Sequence, residues 1–264
     1  MHRQLRIISS DKAGGKRRNV LEIRNLGKIF HVDTGYLTVL KNISFSVEKG
    51  EFICIIGRSG CGKTTLLNIL AGFLLPSSGR ILLNGRPILR PGPDRCVVFQ
   101  DHTLFPWLTV RENIAFGMRG RGLSKRKIRE EIERYLSLMG LGEFGEYLPT
   151  EISGGMKQRV ALARVLILNP EILLMDEPFA SLDAQTREEM QALLLSLRES
   201  FSNTILFVTH DVQEALNLSD RILLMDRAPG RIREDIPVTL PRPRIRESEA
   251  FMNFSRGIFR GLRG

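Results

Sequence analysis

The octapeptide Gly57-Arg58-Ser59-Gly60-Cys61-Gly62-Lys63-Thr64 constrains the fold of this 264-residue chain more than any other stretch. It follows the apolar run Phe52 to Ile56 and leads into Thr65 to Ala71, whose residues recur at helical spacing. The order therefore reads strand, glycine-rich turn, helix. The pattern G-x-x-x-x-G-K-[ST] suits phosphate: glycines let successive backbone N–H groups turn into one concavity, and the helix start adds the positive end of its dipole. In such a turn Lys63 is expected to reach the β and γ phosphates and Thr64 to ligate Mg²⁺. A dinucleotide site of the G-x-G-x-x-G type is not expected, because the position three beyond Gly62 is Thr65.

Composition sets the class. A hydrophobic share of 42 % supports a buried core and excludes a disordered polymer or a disulfide-stapled miniprotein. No run approaches the roughly 20 apolar residues that a membrane-spanning helix needs. Met1 to Asn19 is basic and lacks the hydrophobic stretch of a secretory signal, so the chain is expected to stay where it is made. Three cysteines, Cys54, Cys61 and Cys96, with no C-x-x-C pair fit a reducing compartment and no metal framework. The net charge of +10 is spread over a cluster at Arg119 to Arg134 and both ends. Without interleaved aromatics it does not read as a nucleic-acid platform.

Strand-like runs at Val20 to Ile23, Ile43 to Val47, Phe52 to Ile56, Arg80 to Leu83 and Cys96 to Phe99 are separated by turn signals such as Asn84-Gly85. Helical periodicity then takes over at Arg111 to Met118, Ser124 to Met139 and Ser153 to Leu168. Strands return at Ile172 to Met175, Thr204 to Val208 and Arg221 to Met225, with a helix from Ala184 to Phe201 and another after Asp211. This alternation predicts an α/β core, a parallel sheet with helices on both faces, interrupted by a helical lobe. Phe251, Phe254, Ile258 and Leu262 form a further helical stripe, read as packing on its own subunit.

Ile172 to Met175 ends in Asp176 and Glu177 at the sheet edge where α/β folds bind ligands. Asp176 can hold Mg²⁺ and Glu177 can orient or deprotonate water, unless the two simply cap the following segment. Ser153-Gly154-Gly155-Met156-Lys157-Gln158-Arg159 opens a helix with a serine cap and two glycines, either an ordinary cap or a second anion site. A second cradle on another lobe suggests a nucleotide held between two chains. His210, at the end of Leu206 to Thr209, lies parallel to the carboxylate pair and is read as catalytic.

In their order, Gly57 to Thr64, Gln100, Ile152 to Arg159, Met175-Asp176-Glu177-Pro178, Ser181-Leu182-Asp183 and Thr209-His210-Asp211 resemble the ATP-binding-cassette ATPases over Val20 to Arg244. The resemblance implies a P-loop NTPase core with a RecA-like parallel sheet, an antiparallel β subdomain and an inserted α-helical subdomain. It divides the chain into a basic tail (1–19), an ATPase domain (20–236, helical part about 102–165) and a C-terminal extension (237–264). It also implies ATP and Mg²⁺ as cofactors. Gly57, Ser59, Gly60, Cys61, Gly62, Lys63, Thr64 and Thr65 would bind ATP. Thr64, Asp176 and Gln100 would attend the metal, with Gln100 also sensing the attacking water. Glu177 would be the general base, and His210 would contact the γ phosphate. Ser153, Gly154 and Gly155 would reach ATP on the opposite subunit, and Asp183 would lie where the subunits cross. Phe30 matches the adenine-stacking aromatic, with Tyr36 as rival. Ile152 and Met156 depart from the usual signature in ways importer-type relatives tolerate.

The stretch Pro91 to Gln100, then Leu104 to Val110 and the late Pro241-Arg242-Pro243-Arg244, is similar to the ATPase subunits of nitrate, sulfonate and taurine importers. That implies a homodimer at the cytoplasmic face of the inner membrane, permease subunits, and indirectly a periplasmic or lipoprotein solute-binding protein. Trp107, the single tryptophan, would meet a permease helix or fill its own core. The rivals are a cassette ATPase acting on nucleic acid or ribosomes, which usually carries two cassettes, and a P-loop kinase, which has no use for Ser153-Gly154-Gly155.

Overall fold

The computed structural model describes residues 18–33, 35–101, 103–118, 122–201, 203–227 and 229–263. The basic tail before residue 18, and Arg119 and Arg121 of the basic cluster, lie outside them. The chain begins with a long hairpin, β1 (Asn19–Val32) and β2 (Gly35–Glu48), then β3 (Phe52–Gly57) and α1 (Lys63–Ala71). After β4 (Ser78–Leu83), β5 (Arg86–Pro87) and β6 (Arg95–Val98) come the helices α2 (Val110–Ala115), α3 (Lys125–Leu138) and α4 (Gly154–Leu166). The remainder alternates: β7 (Ile172–Asp176), α5 (Ala184–Phe201), β8 (Thr204–Thr209), α6 (Val212–Leu218), β9 (Arg221–Met225), β10 (Ile232–Pro237) and α7 (Glu249–Arg263).

Two sheets result. One has the order β2-β1-β4-β5 with antiparallel pairing; the other runs β10-β9-β3-β8-β7-β6, parallel except for the antiparallel edge strand β10. The parallel strands are mainly apolar because both of their faces are covered, with polar residues confined to their ends, and the period of two splits them cleanly. Ile53 and Ile55 of β3, with Leu174, Leu206 and Leu223, pack toward α1 and the antiparallel sheet. Phe52, Cys54 and Ile56, with Met175, Phe207 and Leu224, pack toward the other helices. The stripe on α7 joins this second core, with Phe251 and Ile258 buried and Phe254 and Leu262 against it.

Several segments differ from the sequence reading, among them β1, which runs on past Ile23 to Val32, and the short unexpected β5. The β2 strand starts at Gly35, well before Ile43, because the hairpin pairs Val32 with Gly35 and absorbs its irregular polar pattern in several register shifts. The helix expected over 111–118 stops at Ala115 and finishes in a 3₁₀ turn, Phe116–Met118. A side chain at Gly117 in that turn would collide with Leu168. The strand β10 was not expected: Ile-Arg-Glu-Asp-Ile-Pro is largely polar, as suits an exposed edge strand.

Candidate functional site

The parallel register brings the predicted residues to one edge. Ile56 pairs with Thr209, Asp176 with Val208, and Met175 with Val98, so the ends of β3, β8, β7 and β6 lie side by side. Beyond β3 the loop takes left-handed conformations at Gly60 (φ 80°) and Gly62 (φ 97°), which glycine adopts without strain. At Gly62 a side chain would also strike Leu40 and Val39 of β2. The first intrahelical bond of α1 runs from the Leu66 N–H to the Gly62 carbonyl, 2.8 Å. The N–H groups of Lys63, Thr64 and Thr65 therefore stay free of helical partners at the positive end of the dipole. Lys63 is buried, with Nζ donating to the carbonyls of Gly57 (2.9 Å) and Arg58 (3.4 Å) and lying 3.8 Å from Glu177 Oε1. Cys61 is buried as well, and burial pushes its thiol up, so it stays protonated and is no thiolate ligand.

Asp176 closes β7 half-buried and is hydrogen-bonded to the Thr64 hydroxyl. Burial pushes its pKa up; Glu177 adds to this, while the Thr64 bond and Lys63 work against it. A half-buried carboxylate beside a hydroxyl is an all-oxygen donor pair, which fits a hard divalent cation. Glu177 has φ 44°, a left-handed conformation costly for a residue with a side chain and typical of functional sites. Its backbone N–H donates to the Val208 carbonyl (2.9 Å), and its Oε2 is 2.7 Å from His210 Nδ1. Gln100 is exposed two residues past the Val98–Met175 pair, on the same edge.

Ser153 caps α4, accepting from the Met156 N–H (3.3 Å), so the N–H groups of Gly154 and Gly155 remain free. The two glycines differ. A Cβ at Gly155 would lie 2.4 Å from Thr186 Cγ2, whereas one at Gly154 would meet nothing within 4 Å. Packing accounts for Gly155 and leaves Gly154 unexplained within the chain. Asp183 is exposed and caps α5, accepting from the Thr186 N–H (2.9 Å) and hydroxyl (2.7 Å), which hold its carboxyl below the usual range. Phe30 and Tyr36 both lie on the β1–β2 hairpin. Lys28 covers one face of Phe30 at 4.9 Å, while Tyr36 is 79 % exposed. Trp107 is 72 % exposed, so it does not fill its own core.

Two contributors escaped sequence reasoning. Gly230, between β9 and β10, has its Cα face against the Cys61 carbonyl: an added Cβ would lie 2.1 Å from that oxygen. Its backbone exchanges hydrogen bonds with Val39 and Lys41 (2.8 and 3.0 Å), closing β2 and the glycine-rich loop together. A lone glycine after a proline gives no such signal. Glu214, inside α6, is 4 % exposed and accepts from the Thr209 hydroxyl (2.5 Å) and Gln191 (3.2 Å); its sequence context reads only as a polar helical position.

The geometry is that of a P-loop α/β fold, a glycine-rich anion cradle beside a carboxylate and a histidine that contact each other at 2.7 Å. Residues 40–180 match the ABC transporter family model. The chain is 45 % identical to an uncharacterized ABC transporter ATP-binding protein of Methanocaldococcus jannaschii, over 92 % of this chain and 91 % of that protein. It is 46 % identical to the nitrate import ATP-binding protein of Synechococcus elongatus (84 % and 82 % covered) and 47 % identical to the bicarbonate transport ATP-binding protein of the same species (86 % and 83 %). Among solved structures it is similar to a dimeric ATP-binding cassette in a post-hydrolysis state bound to ADP and Pi, with a TM-score of 0.72 and 31 % identity over 84 % of this chain and 100 % of that one. It also resembles CbiO1 of Clostridium perfringens, part of an ABC transporter complex, with a TM-score of 0.77 and 29 % identity over 93 % and 95 %. The chain belongs to the ABC transporter family, as one of its ATP-hydrolysing subunits. No helix among the described residues is long and apolar enough to cross a membrane.

Proposed function

We propose that two copies of this chain clamp ATP between them at the cytoplasmic face of the inner membrane and, by hydrolysing it, drive permease subunits that import a small oxyanion. The observation that carries the joint clamp is the pair of helix starts. Lys63, Thr64 and Thr65 offer free N–H groups within the chain, while Ser153, Gly154 and Gly155 offer a second set on an open surface. A triphosphate lying on Gly57, Ser59, Gly60, Cys61, Gly62, Lys63, Thr64 and Thr65 takes over Lys63 from the loop carbonyls. Its γ end then meets the partner's copy of the α4 start, and Asp183 stands at the same crossing. Phe30 stacks on adenine, with Tyr36 the competing ring. Thr64 and Asp176, with Gln100 beside them, would hold Mg²⁺, which would supply positive charge against the phosphates. Glu177 takes the proton of the attacking water, and His210 holds Glu177 in line while facing the γ phosphate.

Docking to the permease is supported by a rigid aromatic cluster. Phe105 contacts Trp107 and Phe116 at ring-centroid distances of 5.7 and 4.4 Å. Buried Asn113 accepts from the Phe105 N–H (2.9 Å) and donates to the Leu108 carbonyl (2.9 Å), fixing the loop that presents Trp107. Exposed aromatics on a fixed scaffold suit a partner surface. The solute reading is supported by the relatives' names: nitrate and bicarbonate are both compact monovalent oxyanions. Sulfonates and taurine share that anionic head.

Glu177→Gln should trap an ATP-bound dimer, seen as a doubled mass in light scattering only with Mg²⁺ and ATP. A variant that stays monomeric with saturating ATP yet keeps full turnover would refute the base assignment. For the solute, a deletion strain should fail to grow on low nitrate as sole nitrogen source or on sulfonate or taurine as sole sulfur source; normal growth on all of them would remove that reading.

A further inference from the structure

The C-terminal extension touches the catalytic edge by an indirect route. Arg246 of that extension donates to Gln191 Oε1 (2.6 Å) and to Glu188 Oε1 (3.0 Å), both on α5. Gln191 Nε2 donates to Glu214 Oε1 (3.2 Å), and the Thr209 hydroxyl donates to Glu214 Oε2 (2.5 Å). Gln191, Glu214 and Thr209 are 2 %, 4 % and 2 % exposed, so this is a relay of buried polar side chains. The relay ends on both neighbours of His210, because the Thr209 hydroxyl also accepts the Asp211 N–H at 3.0 Å. Asp211 in turn caps α6, accepting from Gln213 and Glu214 N–H groups (2.8 and 3.2 Å).

The other end of α6 is held by the same segment. Arg242 donates to the carbonyls of Asn217 (3.0 Å) and Leu218 (2.6 Å), and Arg244 to those of Leu216 and Ser219 (2.6 Å to the latter). These are the carbonyls that a helix end leaves without internal partners, at the negative end of its dipole. An extension that served only as an anchor would need no more than these carbonyls. A relay continuing through three buried side chains to the residues flanking His210 fixes a catalytic position.

We infer that Arg246, Gln191 and Glu214, with Arg242 and Arg244 at the far end of α6, are positioning residues that set His210 against Glu177, so that the C-terminal extension tunes the rate of hydrolysis. This rests on the reading of His210 as a catalytic group. Arg246 sits at the accessible end of the relay and is the residue to change. In the full chain, Arg246→Ala should lower kcat for ATP about ten-fold, as a slight misplacement of a reacting group does, while KM stays within about two-fold. In ¹⁵N-histidine-labelled protein the imidazole signals of His210 should move and those of His31, on the β1–β2 hairpin, should not. Arg246→Lys should restore most of the loss.

Parental kcat in Arg246→Ala, or equal movement of His31 and His210 with kcat falling in step with the folded fraction, overturns the inference. If Arg246→Ala does not accumulate folded, Gln191→Leu breaks the same relay from within and carries the same two expectations and the same two refutations. His210→Ala separates the failures. If it keeps full turnover, the catalytic reading of His210 fails. If it is inactive while Arg246→Ala behaves as parent, only the positioning inference falls.

Discussion

The molecule builds two helix starts with free N–H groups, and they are finished very differently. At α1 the chain supplies everything around the cradle: left-handed glycines, buried Lys63, β2 on one side and Gly230 against the Cys61 carbonyl. At α4 Ser153 caps the helix and Gly154 faces open space. Both carry the same dipole and the same unpaired donors, so the backbone chemistry is equal. The first is a site in itself. In the proposed clamp the second becomes a site only when another surface arrives, which would make the subunit's affinity for nucleotide depend on assembly.

The contrast can be broken by substitution. At the finished end, Lys63→Ala should reduce ATP turnover on the order of 100-fold, the loss typical of removing one aimed charge or donor; near-parental steady-state hydrolysis would contradict it. At the open end, Gly154→Asp should abolish ATP-dependent dimerisation through a carboxylate in the anion seat. Melting should stay within about 0.5 kcal/mol of parent, because an acid in the first helical turn suits the dipole. Gly155→Ala should do the reverse, costing about 1–3 kcal/mol in denaturant unfolding, since its Cβ displaces Thr186 from Asp183. Equal effects of the two glycine changes on stability would erase the distinction between packing and binding.

The smallest effect concerns Glu214. Burial raises its pKa above 4.5, so the folded state holds that proton more tightly than the unfolded chain. The resulting stability is complete below about 4.5 and is lost as pH rises through the folded value. Glu214→Gln lacks this loss, so its melting temperature relative to parent should improve as pH rises from 4.5 to neutrality. A difference that stays flat across this range would contradict the assigned burial effect.

Much of this was legible because strand, loop and helix chemistry coincide. The boundaries of β3 and α5, the end of α1 at Ala71 and the edge positions of Asp176, Glu177 and His210 were legible, most of them from apolar runs that stop abruptly at glycine, acid or histidine. What could not be read depended on contacts distant in sequence. The β1–β2 hairpin hides behind bulges that break the period of two, and β10 is a polar edge strand. Gly230 matters only because residue 61 lies against it, and Glu214 only because Gln191 and Thr209 do. Trp107 had two readings, and the solvent exposure of its ring removes the one in which it fills its own core.

The joint clamp is tested most directly by mixing two damaged chains. In a Glu177→Gln background, a Lys63→Ala chain keeps an intact α4 start and a Gly154→Asp chain keeps an intact P-loop. Neither alone should form dimers with Mg²⁺ and ATP. Together they should form dimers holding one ATP for every two chains, measured by sedimentation with radiolabelled nucleotide. A mixture that remained monomeric while the Glu177→Gln parent dimerised, or that held ATP equally on each chain, would contradict a site shared between subunits.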